Sequence, residues 1–413
     1  MQVLYSHCAG LDVHKKAVSV CVWITSAEGR GQTHHQQFGT TTPDLLELAQ
    51  WLQSLGVTHV AMESTGVYWR PIYEVLEGGF TLVVVNARHA HVLPGRKTDT
   101  GDAQWLGDLL RHGLLKASYV PPRWQRELRE LVRYRRNLSQ RRTQVVNELH
   151  KTLELANLKL ASVVSDVTGA SATDMLQHLV AGQGDPQLLS ELSRGSLRKK
   201  KEALCRALTG RVRDHHRFMI SQHLAEISGV EEDIRVISEE IERRTAEQQE
   251  LIDRLDAIPG INRRVAEVII AEMGTDPSVF GNNVERAMAW AGVCPGNNET
   301  GGKRHQARIR QGNRTLTTAA VEAALAAIRS RKTYFHLLYR RLAGRRGHKR
   351  AVVAVAHAIL KTVFMMILRG TTYQDLGADY YDRLRPQVVI KKLTRRIRQL
   401  GFEVQLNPKP APA

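Results

Sequence analysis

The sequence predicts an α/β N-terminal domain joined through a long helical hairpin to a mainly α C-terminal domain. Three observations carry that prediction. Short Val-rich runs alternate with helix-like segments over residues 1–120, the pattern of a sheet with covering helices. After Pro121 and Pro122 the chain becomes long, charged and helix-forming, with apolar residues at heptad spacing. From residue 256 to 375 shorter helical patterns return, separated by Gly turns, and residues 376–413 form a basic tail.

Taken in order, residues 7–23 predict two strands in a hairpin, because Val18, Val20 and Val22 alternate with small or polar residues. Residues 42–55 predict a helix with Thr and Pro at its start and Leu45, Leu46, Leu48 and Leu52 along it. Strands follow at 59–63 and 80–86 around a helix at 68–76. The second is a continuous apolar run, which predicts a strand buried on both faces. Strand, helix, strand implies a parallel pair, and the strand ends of such an open sheet can present charged groups at one edge, where these sheets place their sites.

Leu128, Leu131, Leu138, Val145 and Leu149 form one apolar stripe, interrupted by Arg135 and Arg142. Ile227, Val230, Ile234, Ile237, Ile241, Leu251 and Leu255 form a second, with a gap at Arg244 and Gln248. The two predict the arms of one helical hairpin or coiled coil over residues 121–255. Between them, residues 162–200 are rich in Ser, Gly and Asp and hold a basic cluster at 198–201, which predicts a loop or small insertion at the tip. The Pro-rich end of the tail predicts disorder.

Composition narrows the partners. The 413 residues carry 59 Lys plus Arg against 41 Asp plus Glu, a formal charge of +18, which favours a polyanion such as nucleic acid. No uninterrupted apolar run of about 18 residues is found, since residues 351–368 are broken by His357 and Lys361. With no secretory leader either, a cytoplasmic, nucleoid-associated location without a membrane partner is expected. Cys8, Cys21, Cys205 and Cys294 form no C-x-x-C pair and read as buried thiols. Paired histidines such as His34 with His35 lack the acidic or Cys partners of a standard metal site.

Phosphoryl transfer with divalent ions needs several carboxylates converging on a point. Asp12 in Gly10-Leu11-Asp12-Val13 sits on the first strand and Glu63 in Met62-Glu63-Ser64-Thr65-Gly66 ends a later one, both among apolar neighbours. Asp99 and Asp102, in Lys97-Thr98-Asp99-Thr100-Gly101-Asp102, share a helix face if Asp99 starts the helix. Each alone also fits an N-cap or a turn residue; the four together are more specific. These segments resemble the DEDD-type insertion-sequence transposases of the IS110/IS1111 group, and the resemblance covers nearly the whole chain. It implies an RNase H-like, RuvC-like fold for the N-terminal domain. It further implies a metal site of Asp12, Glu63, Asp99 and Asp102 for Mg²⁺ or Mn²⁺, double-stranded DNA as donor and target, and an element-encoded guide RNA.

The C-terminal half adds two features. Ala257-Ile258-Pro259-Gly260-Ile261 followed by Arg263 predicts a helix-hairpin-helix-like turn, whose amides at Gly260 and Arg263 can meet a phosphate, or which is an ordinary helical turn. Further on stands Glu299-Thr300-Gly301-Gly302-Lys303-Arg304, then Arg310 and Asn313. Members of the resembling family usually carry Ser before Gly-Gly-Lys, taken as the nucleophile that joins protein to DNA; here Thr300 stands in its place. Thr offers the same hydroxyl with a stiffer side chain. The other readings are a loop threonine with water as nucleophile, or an impaired copy. Lys303 and Arg304 would neutralise phosphate charge.

Further nucleic-acid contacts are expected from Lys97, from Arg129, Arg133 and Arg136 on the first arm, and from Arg331, Lys332, Arg345, Arg346, Lys349 and Arg350. Tyr334, Phe335 and Tyr339 lie among the last group, where they could stack on bases. A homodimer assembling to a tetramer is expected, because recombination between duplexes needs several sites. Two alternatives stay open: a junction-resolving nuclease that uses water, and a non-catalytic nucleic-acid-binding protein.

Overall fold

The computed structural model of the chain describes residues 2–26, 31–64, 66–86, 101–296, 299–300, 302–304, 309 and 311–406. It divides into two units, Met1–Pro121 and Pro122–Ala413. The first contains strands β1 (His7–Val13), β2 (Val18–Thr25), β3 (Gly31–Phe38), β4 (His59–Glu63) and β5 (Thr81–Val85). They form one sheet of order β3-β2-β1-β4-β5. β1, β2 and β3 pair antiparallel, whereas β4 lies parallel to both β1 and β5.

The pleat sorts the strand residues onto two faces. Ala9, Leu11 and Val13 join Val60 and Met62 in a core closed by Leu45, Leu48 and Leu52 of α1 (Thr42–Ser54) and by Ile72 and Leu76 of α2 (Trp69–Leu76). Cys8 and Ala61 point the other way, towards Leu110 of the helix Gly101–Arg111.

β3 escaped the periodicity argument because Gln32, His34, His35 and Gln37 give no apolar alternation; its only buried residue is Phe38. It is an edge strand held by its ladder to β2. β5 is the opposite edge of the sheet with Thr81 exposed, yet its second half is buried on both faces as expected, Val84 in the core under α1 and α2 and Val85 on the other face with Leu106.

In the second unit the helices Arg123–Leu155 and Asp214–Arg244 pack antiparallel, with Glu127 pairing to Arg244, Arg141 to Glu226, and Thr152 meeting His223. The gap at Arg244 and Gln248 is where the second arm ends; Leu251 and Leu255 belong to a separate helix, Gln249–Asp256, in the C-terminal core. The segment between the arms is not a loop. Helices Ala170–Val180, Pro186–Glu191 and Lys201–Leu208 share a core with the ends of the two arms, in which Leu160, Met175, Leu176, Leu189 and Leu204 meet Leu149, Leu153 and Ile220. Its turn-forming residues sit at helix starts: Gly169 and Asp185 are N-caps, and Asp185 accepts a hydrogen bond from the Gln187 amide.

The C-terminal core gathers Arg263–Met273, Val284–Ala291, Arg314–Ala327, Tyr334–Arg346 and His348–Arg369. Among the described residues, His348–Arg369 is the one helix long and apolar enough to cross a membrane, so the two interruptions do not disqualify it by composition. Val352, Val355, Ile359, Leu360, Val363 and Phe364 are nevertheless buried in this core, which makes it a core helix. Two short helices, Tyr380–Leu384 and Pro386–Gln399, occupy the basic tail; its Pro-rich end, 407–413, lies outside the described residues. Cys8 and Cys21 are buried as expected, but Cys205 and Cys294 are only half-buried.

Candidate active site

Asp12 and Glu63 stand at the carboxyl ends of the neighbouring parallel strands β1 and β4, whose register pairs Leu11 with Met62 one residue earlier. By the pleat both belong to the face of Cys8 and Ala61, the face covered by Gly101–Arg111. Gly10 lets that helix approach: a Cβ there would lie 2.1 Å from the Ala103 carbonyl oxygen and 2.4 Å from the Gly107 nitrogen. The helix runs antiparallel to β1, because Ala103 lies over Gly10 while the Arg111 carbonyl accepts from the amides of Leu4 and Tyr5. Its first turn, with Asp102, is thereby brought to the end of the sheet that carries Asp12 and Glu63.

Further bonds fix the helix to the sheet. Trp23 Nε1 donates to the Gln104 carbonyl at 3.2 Å, Cys8 Sγ to the Gly107 carbonyl at 3.7 Å, and the Arg111 guanidinium lies 4.1 Å from the Trp23 ring centre. Burial pushes the Cys8 thiol up to about 12, so it is not an available thiolate.

Asp12 and Glu63 thus share one face and one end of the sheet, and Asp102 lies in the first turn of the helix that covers that face. Asp99 and Lys97 lie outside the described residues. Among the described residues, no group of three or more His, Cys, Asp and Glu is gathered closely enough to hold a metal ion. The donor chemistry suits a hard divalent cation, which takes carboxylate oxygens. The sequence reading missed a neighbour: His14 Nε2 lies 3.0 Å from Asp12 Oδ2. Its position two residues after Asp12 was the available signal.

Thr300 lies on a short hairpin whose strands, Glu299–Thr300 and Lys303–Arg304, pair Thr300 with Lys303 and Glu299 with Arg304. Gly302, at φ 74°, takes the left-handed conformation that such a tight turn requires. The loop bearing the hairpin leaves helix Val284–Ala291 and returns to Arg314–Ala327. Its base is closed by a bridge between Pro295 and Ile309, by the Asn313 amide donating to the Trp290 carbonyl at 3.2 Å, and by Gly312, where a Cβ would meet the Gly292 nitrogen at 2.3 Å. Arg310 lies outside the described residues.

The other expected contact residues divide sharply. Asn313 is the N-cap of Arg314–Ala327, its Oδ1 accepting from the Leu316 amide while Nδ2 donates to Glu272 Oε2 at 2.6 Å. Glu272 is fully buried and accepts two hydrogen bonds from Arg133, at 2.7 and 2.8 Å. That bond holds the Arg133 guanidinium above its ordinary range. Arg129 donates to the carbonyls of Ala271 and Glu272, and Arg136 to Thr318 Oγ1 at 3.2 Å. Arg263 pairs with Glu242 and Glu267. Gly260 is turned inward: at φ 92°, a Cβ there would lie 2.1 Å from the Ala323 carbonyl.

By contrast, Arg331, Lys332, Arg345, Arg346, Lys349 and Arg350 are exposed. The aromatic residues among them do not present free rings. Phe335 is buried in the core, Tyr334 packs edge-on against Tyr380, and the Tyr339 hydroxyl meets His348 Nδ1 at 2.9 Å.

Comparison with known families matches residues 9–157 to the family described as DEDD transposase, IS110 type, and residues 252–340 to the one described as Transposase IS116/IS110/IS902 family. Together these stretches make up more than half of the 413 residues. A search of curated proteins found no match.

Proposed function

From the premise that the chain belongs to the IS110 family of transposases, we propose that it cuts and rejoins DNA through a carboxylate metal site and a threonine nucleophile. The observation that carries this reading is the placement of Asp12 and Glu63 at one end of one sheet face, with Asp102 in the first turn of the helix that packs over that face at Gly10. The sheet order, with β1 between antiparallel β2 and parallel β4, supports an RNase H-like fold of the RuvC kind for residues 1–120. With helix Gln249–Asp256 in the C-terminal core, the boundary expected at 255 moves back to about 248, which leaves a helical region from 121, the transposase domain to 375 and the basic tail over 376–413.

In this reading Asp12, Glu63 and Asp102, with Asp99, hold Mg²⁺ or Mn²⁺. Such an ion, when bound, polarises the scissile phosphate. The Thr300 hydroxyl attacks phosphorus, the protein–DNA phosphodiester forms as one DNA oxygen leaves with a proton, and the bond energy is kept for rejoining. Lys303 and Arg304, opposite Thr300 and Glu299 in the hairpin ladder, supply positive charge to the phosphate. The guide RNA and the homodimer assembling to a tetramer rest on the family alone.

The test is a denaturant-resistant protein–DNA adduct, formed with Mg²⁺ and the element's own flanking DNA. Wild type and Thr300→Ser are expected to give the adduct, and Thr300→Ala and Asp102→Ala to give none. Cleavage without adduct in wild type would assign the attack to water, as in a junction-resolving nuclease. Cleavage persisting in Asp102→Ala would remove the carboxylates from the chemistry.

A further inference from the structure

The two family matches leave residues 158–251 uncovered, and this stretch includes the folded tip between the helical arms. From Arg194 to Arg217 the tip carries nine Lys and Arg residues against two carboxylates, Glu202 and Asp214. Three of the cations are neutralised, Arg194 by Asp174, Lys201 by Glu191 and Arg217 by Asp214. The other six, Arg198, Lys199, Lys200, Arg206, Arg211 and Arg213, are exposed. None has a carboxylate partner among the described residues; Lys200 donates only to the Val163 carbonyl, at 3.4 Å.

The arms below the tip show that this chain can neutralise its arginines. Arg141 pairs with Glu226, Arg142 with Glu231, and Arg235 with Glu232 and Glu239. Hydrogen bonds from Arg243 and Arg244 pull the Glu240 carboxyl down to about 2.

They are also held in place. Lys200 is tied to Val163, the Arg211 amide donates to the Ala156 carbonyl at 2.9 Å, and the Lys159 amide to the Ala207 carbonyl at 2.9 Å. Lys200 and Arg211 are thus both fastened to the same short segment, 156–163. Gly210 permits this closure, since a Cβ there would lie 2.7 Å from the Ala156 carbonyl. Phe218, 62 % exposed, follows one turn into the arm and offers a ring to an unstacked base. Fixed, unpaired like charges raise the energy of the folded chain unless a polyanion gathers them.

We propose that the tip of the helical hairpin is a second nucleic-acid-binding surface, separate from residues 331–350, which grips a sugar-phosphate backbone without reading sequence. It goes beyond the catalytic reading and does not depend on Thr300. Duplex DNA and folded RNA present the same phosphodiester chemistry, and the experiment separates them.

Full-length protein is titrated with a random-sequence DNA duplex and, separately, with a folded RNA across a salt series. The variant carries Arg198→Gln, Lys199→Gln and Lys200→Gln. A control removes three paired charges from the arm by Arg235→Gln, Arg243→Gln and Arg244→Gln. For duplex DNA each lost phosphate contact should flatten the log–log salt dependence by about 0.9. The tip variant is therefore expected to be shallower by about two to three on the nucleic acid that the tip holds, and weaker by about tenfold or more at moderate salt.

Arg198→Lys, which keeps all three charges, should bind as wild type does. A change on DNA alone or RNA alone supports the surface and names its ligand. Equal slopes for tip variant and wild type on both, or an equal loss in the arm control, overturn it. Wild type that binds neither nucleic acid would overturn both this surface and the proposed function, whereas intact wild-type binding with an unaffected tip variant overturns this surface alone.

Discussion

Two arginine-rich stretches of the second unit meet opposite fates. On helix Arg123–Leu155, Arg129, Arg133 and Arg135 are turned into the structure: Glu272 takes the first two and Glu267 takes Arg135 at 2.7 Å, both carboxylates being essentially inaccessible to water. In the other stretch Arg331, Lys332, Arg345, Arg346 and Lys349 stand in solvent without a carboxylate partner among the described residues. In the sequence both look like surfaces for a polyanion. What separates them is whether acidic side chains from other helices are waiting, and the chain supplies Glu267 and Glu272 from Arg263–Met273 to the arm and not to residues 331–349.

The largest effect should follow from breaking the buried side. Glu272→Ala leaves Arg129, Arg133 and the Asn313 amide without their common acceptor, and removing one partner of a buried pair costs about 3–5 kcal/mol. Because the Arg133 side chain is 43 % exposed, the expected loss lies near about 3 kcal/mol. Urea unfolding measures it. A loss under about 1 kcal/mol would mean that the network behaves like a surface pair, and the contrast between the two stretches would collapse.

The exposed side should respond in the opposite sense. Arg345→Gln, Arg346→Gln and Lys349→Gln together should leave stability within about 0.5 kcal/mol of wild type. DNA affinity should nevertheless fall, its salt dependence flattening by up to about 0.9 per substitution. A large stability loss with unchanged DNA binding would move these residues to the structural class.

Why the sequence could not make this distinction is a matter of range. Asp12, Glu63 and Asp102 were legible because alternation and helix spacing act over a few residues, and these local rules set which face each side chain takes. Arg133 and Glu272 are 139 residues apart, so their pairing depends on how distant helices pack. Gly10 is intermediate: its place in Gly10-Leu11-Asp12-Val13 is plain in the sequence, but only the path of Gly101–Arg111 shows that its missing side chain seats the helix bearing Asp102. β3 was hidden because a polar edge strand carries its information in backbone pairing. The turn-rich tip hid helices for the same reason in reverse, since caps and turns use the same residues.

The smallest effect sharpens the comparison by adding a cation that burial keeps neutral. His357 lies on the core helix His348–Arg369, and burial lowers its pKa, with Lys361 one turn on adding repulsion and Glu285 opposing it. Unlike the arginines of the arm, an imidazole can give up its proton. A folded-state pKa below the unfolded value means that the unfolded chain binds the extra proton first as pH falls. Stability should therefore be lost progressively as pH drops below about 6.5, the ordinary histidine value, and be fully present above it. His357→Gln removes the titration, so its unfolding midpoint should fall less steeply than that of wild type over the same acid range, with the other histidines as a shared background. Parallel pH profiles for the two proteins would show that this imidazole is protonated as readily inside the fold as outside it. In that case the core would tolerate a cation without a carboxylate, contrary to what the Glu272 network implies.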